Sequence, residues 1–489
     1  MAETDRAVYQ SYGNLEPKNV FYFFEEISRI PRPSYKEEKI SNYLVNFAKE
    51  RNLEVYQDDL KNVIIIKEAT KGYEDVEPII LQGHMDMVCE KEPDCTIDFE
   101  NDPLTLEIEG DYITAKGTTL GGDDGIAVAY ALAILDSDTI EHPRLEVVIT
   151  VSEEVGMDGA NGIDLSMLKG KKVLNLDSEE EGHMLASCAG GCTTVCRLPL
   201  AFEKKSGELF EIHISGLLGG HSGGEIDKER ANSNLLMGRF FLRLSEKTPF
   251  AIAELAGGTK DNAIPRETTA KIMLDAGKED LLMQEIAAYQ EILTAEYQSS
   301  DKDIKVRAKA LGCGEERVTT AEDAGKMTML LTHLPAGIQR MSMDIKGLVE
   351  TSLNLGILYL EEDAAVLKYS VRSSVKTQKE LLVQKLKSLT EWLGGSISIY
   401  GDYPAWEYKK DSKLRDDMVA VYERMYGKKP SVEAIHAGLE CGLLSAKIPG
   451  MDAVSIGPDM IDIHTTGEKL SISSTKRVWE YVLEVLKCK

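Results

Sequence analysis

Hydrophobic residues recur along the chain in two patterns, as short continuous runs and as longer stretches with helical spacing. The short runs VIIIK, PIILQG, LEVVITV and KVLNLD, which begin at residues 63, 78, 145 and 172, are typical of buried strands. The apolar stretch IAVAYALAIL, residues 126–135, predicts a buried helix between the second and third runs. Because strands alternate with helices, we expect an α/β fold with a substantially parallel sheet and flanking helices.

The region before the first apolar run predicts helices. Residues 17–56 have helical spacing that is interrupted at IPRPS. Ser34 and Glu37 have the spacing of a capping box, which predicts that they open a helix over residues 36–50.

A long segment in the middle of the chain predicts a separate domain. Residues 188–400 contain their own strands, FEIHISG and AVLKYSV, and their own helices, NSNLLMGRFFLRL and KEDLLMQEIAAYQEILTAEY. From about residue 401 the α/β pattern resumes with KLRDDMVAVYERMYG, DAVSIG and STKRVWEYVLEVLK. We therefore predict one α/β domain, residues 1–187 and 401–489, which is split by an inserted α+β domain, residues 188–400.

Length and charge exclude several classes of protein. With 489 residues the chain is too long for one ordinary core, which agrees with two or more domains. The net charge of −26 repels phosphate backbones and anionic lipids, so nucleic-acid binding and membrane-surface binding are not expected. No apolar run is long enough to span a bilayer, and the N-terminus MAETDRAVYQSYGNLEPKNV does not resemble a signal peptide.

The eight cysteines do not form a disulfide-like framework, which predicts a reduced, cytoplasmic protein. Cys188, Cys192 and Cys196 in SCAGGCTTVC are close together, but their spacing matches no common zinc motif. Packing as small apolar residues is the better interpretation of these three side chains.

Metal-ligand side chains follow several of the predicted strands. In open α/β sheets, sites form in the crevice beyond the carboxyl ends of the strands, so residues placed there from different segments converge. The residues that follow the strands are His84, Asp86, Glu153, Glu154 and Asp177. Two aspartates that begin the apolar helix, Asp123 and Asp124, and a histidine in a late loop, His464, complete the set.

Each of these signals has a simpler explanation when it is taken alone. Asp123 and Asp124 could cap their helix, because carboxylates favour a helix N-terminus. Glu153 and Glu154 could be a solvated loop pair, and Asp177 lies in the acidic stretch DSEEEG. The ordered set is more specific, because two imidazoles with surplus carboxylates suit zinc, and two neighbouring ions need a bridging carboxylate such as Asp123.

The motifs GHMDMV, GGDDGIA, SEEVGMDGA, NLDSEE and IDIHTTGE resemble those of the zinc-dependent peptidases of the aminoacylase and glutamate-carboxypeptidase superfamily. Within it, the chain is similar to the aminoacyl-histidine dipeptidases in TTLGGDDGIAVAYALAIL, LGGHSGGEIDKERANSN, GGTKDNAIPRE, SLNLG, SVRSS and HAGLECG. The resemblance covers essentially the whole chain, and it implies that the inserted domain is a lid.

The resemblance implies two Zn²⁺ ions, for which Co²⁺ or Mn²⁺ are alternatives. His84, Asp123 and Asp177 would bind one ion, and Asp123, Glu154 and His464 would bind the other. Asp123 would bridge the two ions, and the assignment of the terminal ligands to a particular ion is left open.

Roles for the remaining residues also follow from the resemblance. Asp86 would orient His84, Glu153 would be the general base, and His221 would donate a hydrogen bond to the oxyanion. Substrate binding would involve Asn262, Arg372, His436 and Glu440, of which the last two are spaced as neighbours on one helix face. A surface position for His221 and a structural ion pair for Arg372 are the alternatives.

The expected activity is hydrolysis of unblocked dipeptides, including those with C-terminal histidine and β-alanyl-histidine. The alternatives are a tripeptide aminopeptidase or an N-acyl amino acid deacylase of the same fold, and a non-catalytic binding protein with structural metal. A monomer and a homodimer both remain open, and the homodimer is favoured.

Overall fold

The computed structural model describes residues 15–489. The chain forms two compact units, and the first consists of the residues up to Ser187, Tyr408–Ala434 and Leu439–Lys489. The second consists of Cys188–Glu407 and Ile435–Gly438. Residues 1–14, on which part of the signal-peptide expectation rests, lie outside the described residues.

The helices of the described residues are α1 Lys18–Ser28, α2 Glu38–Glu50, α3 Gly122–Asp136, α4 Asp158–Gly162, α5 Ser233–Ser245, α6 Glu279–Glu296, α7 Ala321–His333, α8 Lys376–Trp392, α9 Lys413–Tyr426, α10 Glu440–Lys447 and α11 Ile472–Leu486. A short 3-10 helix spans Ile226–Lys228. Within residues 15–489, no helix combines the length and the apolar character that crossing a bilayer requires.

The strands of the described residues are β1 Glu54–Gln57, β2 Val63–Lys67, β3 Ile79–His84, β4 Leu106–Glu109, β5 Tyr112–Ala115, β6 Leu145–Thr150, β7 Lys172–Asn175, β8 His183–Cys188, β9 Gly190–Pro199, β10 Phe202–Ser215, β11 Gly220–His221, β12 Ala251–Gly257, β13 Ala263–Ile264, β14 Thr268–Leu274, β15 Lys305–Thr319, β16 Gly337–Met341, β17 Val349–Leu360, β18 Ala364–Ser373, β19 Ser396–Tyr403, β20 Ser431–Ile435, β21 Asp452–Ser455, β22 Met460–Ile461 and β23 Lys469–Ser471.

An eight-stranded sheet forms the centre of the first unit, with the order β1-β2-β6-β3-β7-β21-β8-β20. The four strands β6, β3, β7 and β21 are parallel. Strands β1, β2 and β8 pair antiparallel with their neighbours. Helix α3 is buried on all sides, which explains why its residues 126–135 are apolar without a polar face. The predicted α/β class is confirmed, with the parallel order confined to the central strands.

The second unit has its own hydrophobic core and a mostly continuous antiparallel sheet. Its strand order is β15-β10-β14-β12-β17-β18-β9-β19, and β16 adds to β17. Helices α5, α6, α7 and α8 contribute buried side chains such as Phe240, Tyr289, Met327 and Leu386 to this core. This arrangement of antiparallel strands and helices is the α+β organisation that the sequence predicts for the inserted domain.

The second unit extends beyond the predicted boundary at residue 400. Strand β19 pairs with β9 as far as Tyr403 and Gly191, and Trp406 forms a bridge with Cys188. Residues 401–407 therefore group with the second unit, because their backbone partners lie in it. The sequence shows no composition shift at this point.

The structure departs from the predicted helices at residues 54–57. This segment forms β1, which pairs antiparallel with Val63–Ile66 of β2. A helical continuation of α2 was therefore the wrong prediction, because pairing with a neighbouring strand satisfies this backbone instead.

The predicted capping box is also wrong. Helix α2 begins at Glu38, and the side chain of Glu37 makes no capping hydrogen bond. Instead, Ser34 Oγ donates to Asp86 Oδ2 at 2.8 Å, and Glu37 Oε1 accepts from the Ser152 backbone N–H at 2.9 Å. Both side chains serve partners that are distant in sequence, which a local spacing rule does not detect.

Packing is the role of the cysteines that lie in the second core. Cys192 and Cys196 are buried among apolar side chains of the second unit. Burial raises the pKa of the Cys196 thiol to about 11. These thiols are therefore protonated at neutral pH and behave as small apolar groups.

Candidate functional site

His84 is the last residue of β3 and lies at the carboxyl edge of the parallel strands. Its side chain is 1% exposed. Nε2 lies 3.2 Å from Asp123 Oδ1 and 3.5 Å from Asp177 Oδ1, and Nδ1 lies 3.3 Å from Asp86 Oδ1. Three segments, each following a different strand or beginning a helix, therefore converge on one imidazole.

Asp123 lies between two imidazoles. Its Oδ1 faces His84, and its Oδ2 lies 3.0 Å from Nε2 of His464. The same His464 nitrogen lies 3.0 Å from Oε2 of Glu154. The five residues predicted as metal ligands, together with Asp86, thus lie in a single connected cluster of the first unit around the Asp123 carboxylate.

Asp124 also belongs to this cluster, although the family resemblance assigns it no ligand role. Candidate ligand atoms of His84, Asp124 and Asp177 lie within 4.8 Å of one another, as do those of His84, Asp123 and Glu154. Asp124 is fully buried, and its Oδ2 accepts from the His84 backbone N–H at 3.1 Å. In the sequence, Asp124 is the second aspartate of the motif GGDDG.

Asp86 organises the strand ends around His84. It is fully buried, and Oδ1 accepts from the Glu153 backbone N–H at 3.0 Å. Oδ2 accepts from the Glu154 backbone N–H at 3.3 Å and from Ser34 Oγ at 2.8 Å. One carboxylate therefore fixes both the His84 ring and the backbone that presents the two glutamates.

The segment before the two glutamates has an unusual backbone conformation. Ser152 has a φ of 53°, in the left-handed region. Its N–H and hydroxyl both donate to Glu37 Oε1, at 2.9 and 2.8 Å, which stabilises this conformation. The turn directs Glu153 and Glu154 away from the strand direction at the end of β6.

Charges within the cluster are strongly coupled. Burial lowers the pKa of His84, but hydrogen bonds with Asp123 and Asp177 outweigh it and keep that pKa well above its usual range. Hydrogen bonds with Asp123 and Glu154 raise the pKa of His464 to about 10. Burial raises the pKa of Asp177 to about 6, although its hydrogen bond with His84 opposes this. Positive charge at the imidazoles is thus stabilised by the surrounding carboxylates.

Glu153 is the carboxyl group with the clearest acid–base character. Burial raises its pKa well above the usual range. His84 opposes this shift, while the negative charges of Asp177 and Glu440 add to it. A carboxyl group with a raised pKa, placed beside candidate metal ligands, is suited to accepting and returning a proton.

The donor set fits divalent metal ions. Asp124 Oδ1 and Glu154 Oε1 are buried without a hydrogen-bond partner within the described part of the chain. Unpartnered carboxylate oxygens beside two imidazoles are costly unless a cation neutralises them. Imidazole nitrogen and carboxylate oxygen together suit zinc, cobalt or manganese.

His221 lies on β11 of the second unit and is exposed. Its Nδ1 accepts from the Gly223 and Gly224 backbone N–H groups, at 3.3 and 3.0 Å. Partial desolvation of the ring and the charge of Arg372 lower the pKa of His221, so the ring is neutral near pH 7. Because Nδ1 is an acceptor, the proton is on Nε2, and the ring presents a hydrogen-bond donor.

A second polar cluster of this unit contains His436 and Arg372. His436 Nε2 lies 2.7 Å from Ser352 Oγ, and its buried Nδ1 has no partner among the described residues. Arg372 pairs with Ser352 across β17 and β18, and its Nη1 donates to Tyr403 Oη at 3.2 Å. Ser352 and Tyr403 were not predicted, because they lie in segments whose sequences carry no metal or acid–base pattern.

Asn262 lies in the loop between β12 and β13. Its backbone carbonyl accepts from the Ser222 N–H at 2.9 Å, next to the pair formed by His221 and Ala263. The pairing of β11 with β13 thus holds Asn262 and His221 close together in the same unit.

Glu440 and His436 do not share a helix face. Residues 431–435 form β20, and helix α10 begins only at Glu440. Glu440 is fully buried in the first unit, where it accepts hydrogen bonds from Gln82 and Thr150 at 2.5 and 2.7 Å. Burial raises its pKa to about 8, although His84 opposes this. The predicted helical spacing of the two residues is therefore wrong.

Known proteins resemble this chain over nearly its whole length. Residues 80–487 match the model of peptidase family M20/M25/M40. The cytosol non-specific dipeptidase of Escherichia coli strain K12 is 38% identical over 477 residues, 97% of this chain and 98% of that protein. The crystal structure of aminoacylhistidine dipeptidase from Vibrio alginolyticus superimposes with a TM-score of 0.93 at 36% identity, covering 98% of each chain. Aminopeptidase PepT from Bacillus cereus shares the fold, with a TM-score of 0.56, 17% identity and coverage of 96% and 98%.

Proposed function

The chain belongs to peptidase family M20/M25/M40, and we propose that it is a metal-dependent dipeptidase that hydrolyses unblocked dipeptides. The observation that carries this proposal is the joint presence of the imidazole and carboxylate cluster around Asp123 and the 38% identity, over 97% of the chain, to a dipeptidase. Preference for Xaa-His substrates, including β-alanyl-histidine, is the finer part of the proposal. It is supported by the similarity to the Vibrio enzyme.

We assign two ions to the cluster and take zinc as the native metal. His84, Asp123 and Asp177 would hold one ion, and Asp123, Glu154 and His464 would hold the other. The contacts of both Asp123 oxygens with different imidazoles support its role as the bridge. Asp124 supports His84 because its Oδ2 accepts a hydrogen bond from the backbone N–H of His84. When bound, the ions polarise the scissile carbonyl and make water more acidic.

Glu153 moves the proton. Its carboxylate accepts a proton from the attacking water, whose oxygen forms the bond to the scissile carbon. Glu153 then donates that proton to the amide nitrogen as the carbon–nitrogen bond breaks, so the products are a free carboxylate and an amine. The raised pKa of Glu153 supports this exchange, because burial makes its carboxylate a stronger base than an ordinary glutamate.

Asp86 acts through other residues. It keeps the His84 proton on Nδ1, so that Nε2 is free to bind metal. Its two oxygens also fix the backbone N–H groups of Glu153 and Glu154. The base and one metal ligand are therefore positioned by the same side chain.

The second unit supplies groups that recognise the substrate. His221 donates from Nε2 to the oxyanion, and Asn262 and Arg372 bind the C-terminal carboxylate. His436 contacts the substrate through its unpartnered Nδ1. Glu440, a residue of the first unit, is assigned to substrate binding as well. The lid role of this unit is part of the same proposal.

We further place the enzyme in the cytoplasm as a homodimer. The cytoplasmic location is supported by the name of the E. coli relative, a cytosol dipeptidase. Light scattering on the eluted protein tests the oligomer: a mass of twice 54.1 kDa supports the dimer, and a mass of 54.1 kDa contradicts it.

The proposed activity is tested with a matched panel of substrates. The panel contains β-alanyl-histidine, several α-dipeptides, one tripeptide and one N-acetylated dipeptide, and amine release is measured. The expected result is cleavage of free dipeptides, fastest for Xaa-His, with the Glu153→Gln variant as a control for contaminating peptidases. Cleavage of only the tripeptide or the N-acetylated substrate would refute the dipeptidase assignment.

A further inference from the structure

One carboxylate outside the predicted site contacts the loop that carries Asp123. Glu468 is 2% exposed. Its Oε2 accepts from the backbone N–H groups of Leu120 and Gly121 at 2.8 and 3.0 Å. Its Oε1 accepts from those of Gly122 and Asp123 at 2.8 and 3.4 Å. Four consecutive N–H groups thus point to a single side chain.

The opposite side of the same loop is held by a buried cation. Arg32 is 2% exposed, and its Nη2 donates to the Gly121 carbonyl at 2.5 Å. Its Nη1 donates to the carbonyls of Met85 and Asp86, at 3.2 and 3.1 Å. Arg32 therefore links the Asp123 loop to the segment that follows His84, and its charge offsets that of Glu468.

Little space remains for the loop to move. Gly121 has a φ of 65°, and a Cβ there would lie 2.5 Å from Arg32 Nη2 and 2.8 Å from Met87 Sδ. The backbone at Gly121 is thus held between Arg32 and Glu468, which requires a glycine in LGGDD.

Glu468 also belongs to the loop of the second histidine. It lies four residues after His464, between β22 and β23, and its N–H donates to the Thr465 carbonyl at 3.2 Å. Its backbone therefore moves with His464, whereas its side chain holds Asp123. Through these contacts the two loops are fixed where Asp123 Oδ2 and His464 Nε2 are 3.0 Å apart.

We propose that Glu468 is a positioning residue that sets the separation of Asp123 from His464, and thereby the affinity of the ion held by Asp123, Glu154 and His464. This inference rests on the proposed function, because it takes these residues as ligands. The four backbone N–H groups satisfy the buried Glu468 carboxylate, and the charge of Arg32 adds an attraction at longer range. A residue that merely caps helix α3 would contribute to folding but not selectively to one ion.

The test measures metal affinity rather than activity alone. Metal-free wild type, Glu468→Gln and Glu468→Asp are titrated with Zn²⁺ against a chromogenic chelator, and bound metal is counted after dialysis. Glu146→Gln is the matched control, because Glu146 is also fully buried and accepts backbone N–H groups, those of Lys169 and Gly170. Thermal unfolding of each metal-free protein gives the structural effect separately.

Glu468→Gln replaces one acceptor oxygen by an N–H donor that faces other N–H groups. The expected result is an affinity about 10- to 100-fold lower for one of the two ions, with the other unchanged. Glu468→Asp keeps the charge and is expected to lie between Gln and wild type. Glu146→Gln is expected to lower the melting temperature and leave both affinities unchanged.

Two outcomes overturn the inference. In the first, Glu468→Gln and Glu468→Asp bind both ions as tightly as wild type, while wild type binds two ions and cleaves dipeptides, so only the inference fails. In the second, Glu146→Gln weakens metal binding as much as the Glu468 variants do. Wild type that binds no metal would refute the proposed function and the inference together.

Discussion

Asp86→Asn tests how one buried carboxylate supports the site. The Asp86 oxygens accept the backbone N–H groups of Glu153 and Glu154 and the Ser34 hydroxyl, and face His84 Nδ1 at 3.3 Å. Asparagine has nearly the same shape but keeps only one acceptor oxygen. Its NH₂ group must then face one of the two backbone N–H groups, because they approach different oxygens.

The cost follows from the hydrogen bonds that are lost. A buried N–H left without an acceptor costs about 1–3 kcal/mol. A central value of about 2 kcal/mol corresponds to a change of roughly 30-fold in a rate or equilibrium constant. Without the negative charge, His84 is held less firmly in its orientation. Changes of this kind typically lower metal affinity or activity by about 10- to 100-fold. We therefore expect kcat/KM of Asp86→Asn to fall roughly 30-fold or more, with weaker metal binding.

The assay is dipeptide hydrolysis at saturating metal, combined with a metal titration of each variant. Asp452→Asn is the matched control, since Asp452 is also buried and accepts from Ser412 Oγ and the Leu414 N–H. It begins β21, at the opposite end of the parallel strands from His84. The proposed role of Asp86 is excluded if Asp86→Asn keeps wild-type kcat/KM and metal affinity, or if Asp452→Asn loses as much of both.

Three further changes have defined outcomes. Glu153→Gln is expected to lower kcat by about 10²- to 10⁴-fold at unchanged metal content. A kcat within about threefold of wild type would exclude Glu153 as the general base. Burial lowers the pKa of His436 from 6.5 to about 3, and the charge of Arg372 adds to this shift. The folded protein therefore loses stability as the pH falls below 6.5, because only the unfolded state takes up a proton there. His436→Asn should remove about 2 kcal/mol of the difference in unfolding free energy between pH 7 and pH 5, and an unchanged difference in urea titrations would contradict this. Tyr130→Phe removes the 2.8 Å hydrogen bond to the Thr475 carbonyl, so we expect about 1 kcal/mol lower stability, and equal stability by urea titration would contradict it.

The sequence predicted the parts of the molecule that depend on local pattern. Continuous apolar runs identified β3, β6 and β7, and the polar residues that follow these strands converge because parallel strands end at one edge. The two-unit organisation followed from the interruption of the α/β pattern. Family motifs added roles for these candidate ligands, and the structure places Asp123 3.2 Å from His84 and 3.0 Å from His464.

What could not be predicted depends on partners distant in sequence. Ser34 and Glu37 fit a capping box by spacing, but hydrogen bonds to Asp86 and Ser152 determine their conformations. Glu468 gives no sequence signal of its contact with the Asp123 loop, about 345 residues earlier. Tertiary hydrogen bonds of this kind outweigh local preferences, because a buried polar group must find a partner wherever the fold supplies one.

Dipeptide cleavage by this chain is expected to depend on metal held around Asp123. The most direct test is to titrate chelator-stripped protein with Zn²⁺ while measuring both bound metal and hydrolysis of β-alanyl-histidine and other dipeptides. The expected result is no cleavage by the stripped protein and a rate that reaches its plateau at two bound ions per chain. Cleavage at the plateau rate without metal, or no dipeptide cleavage at full metal loading, would contradict it.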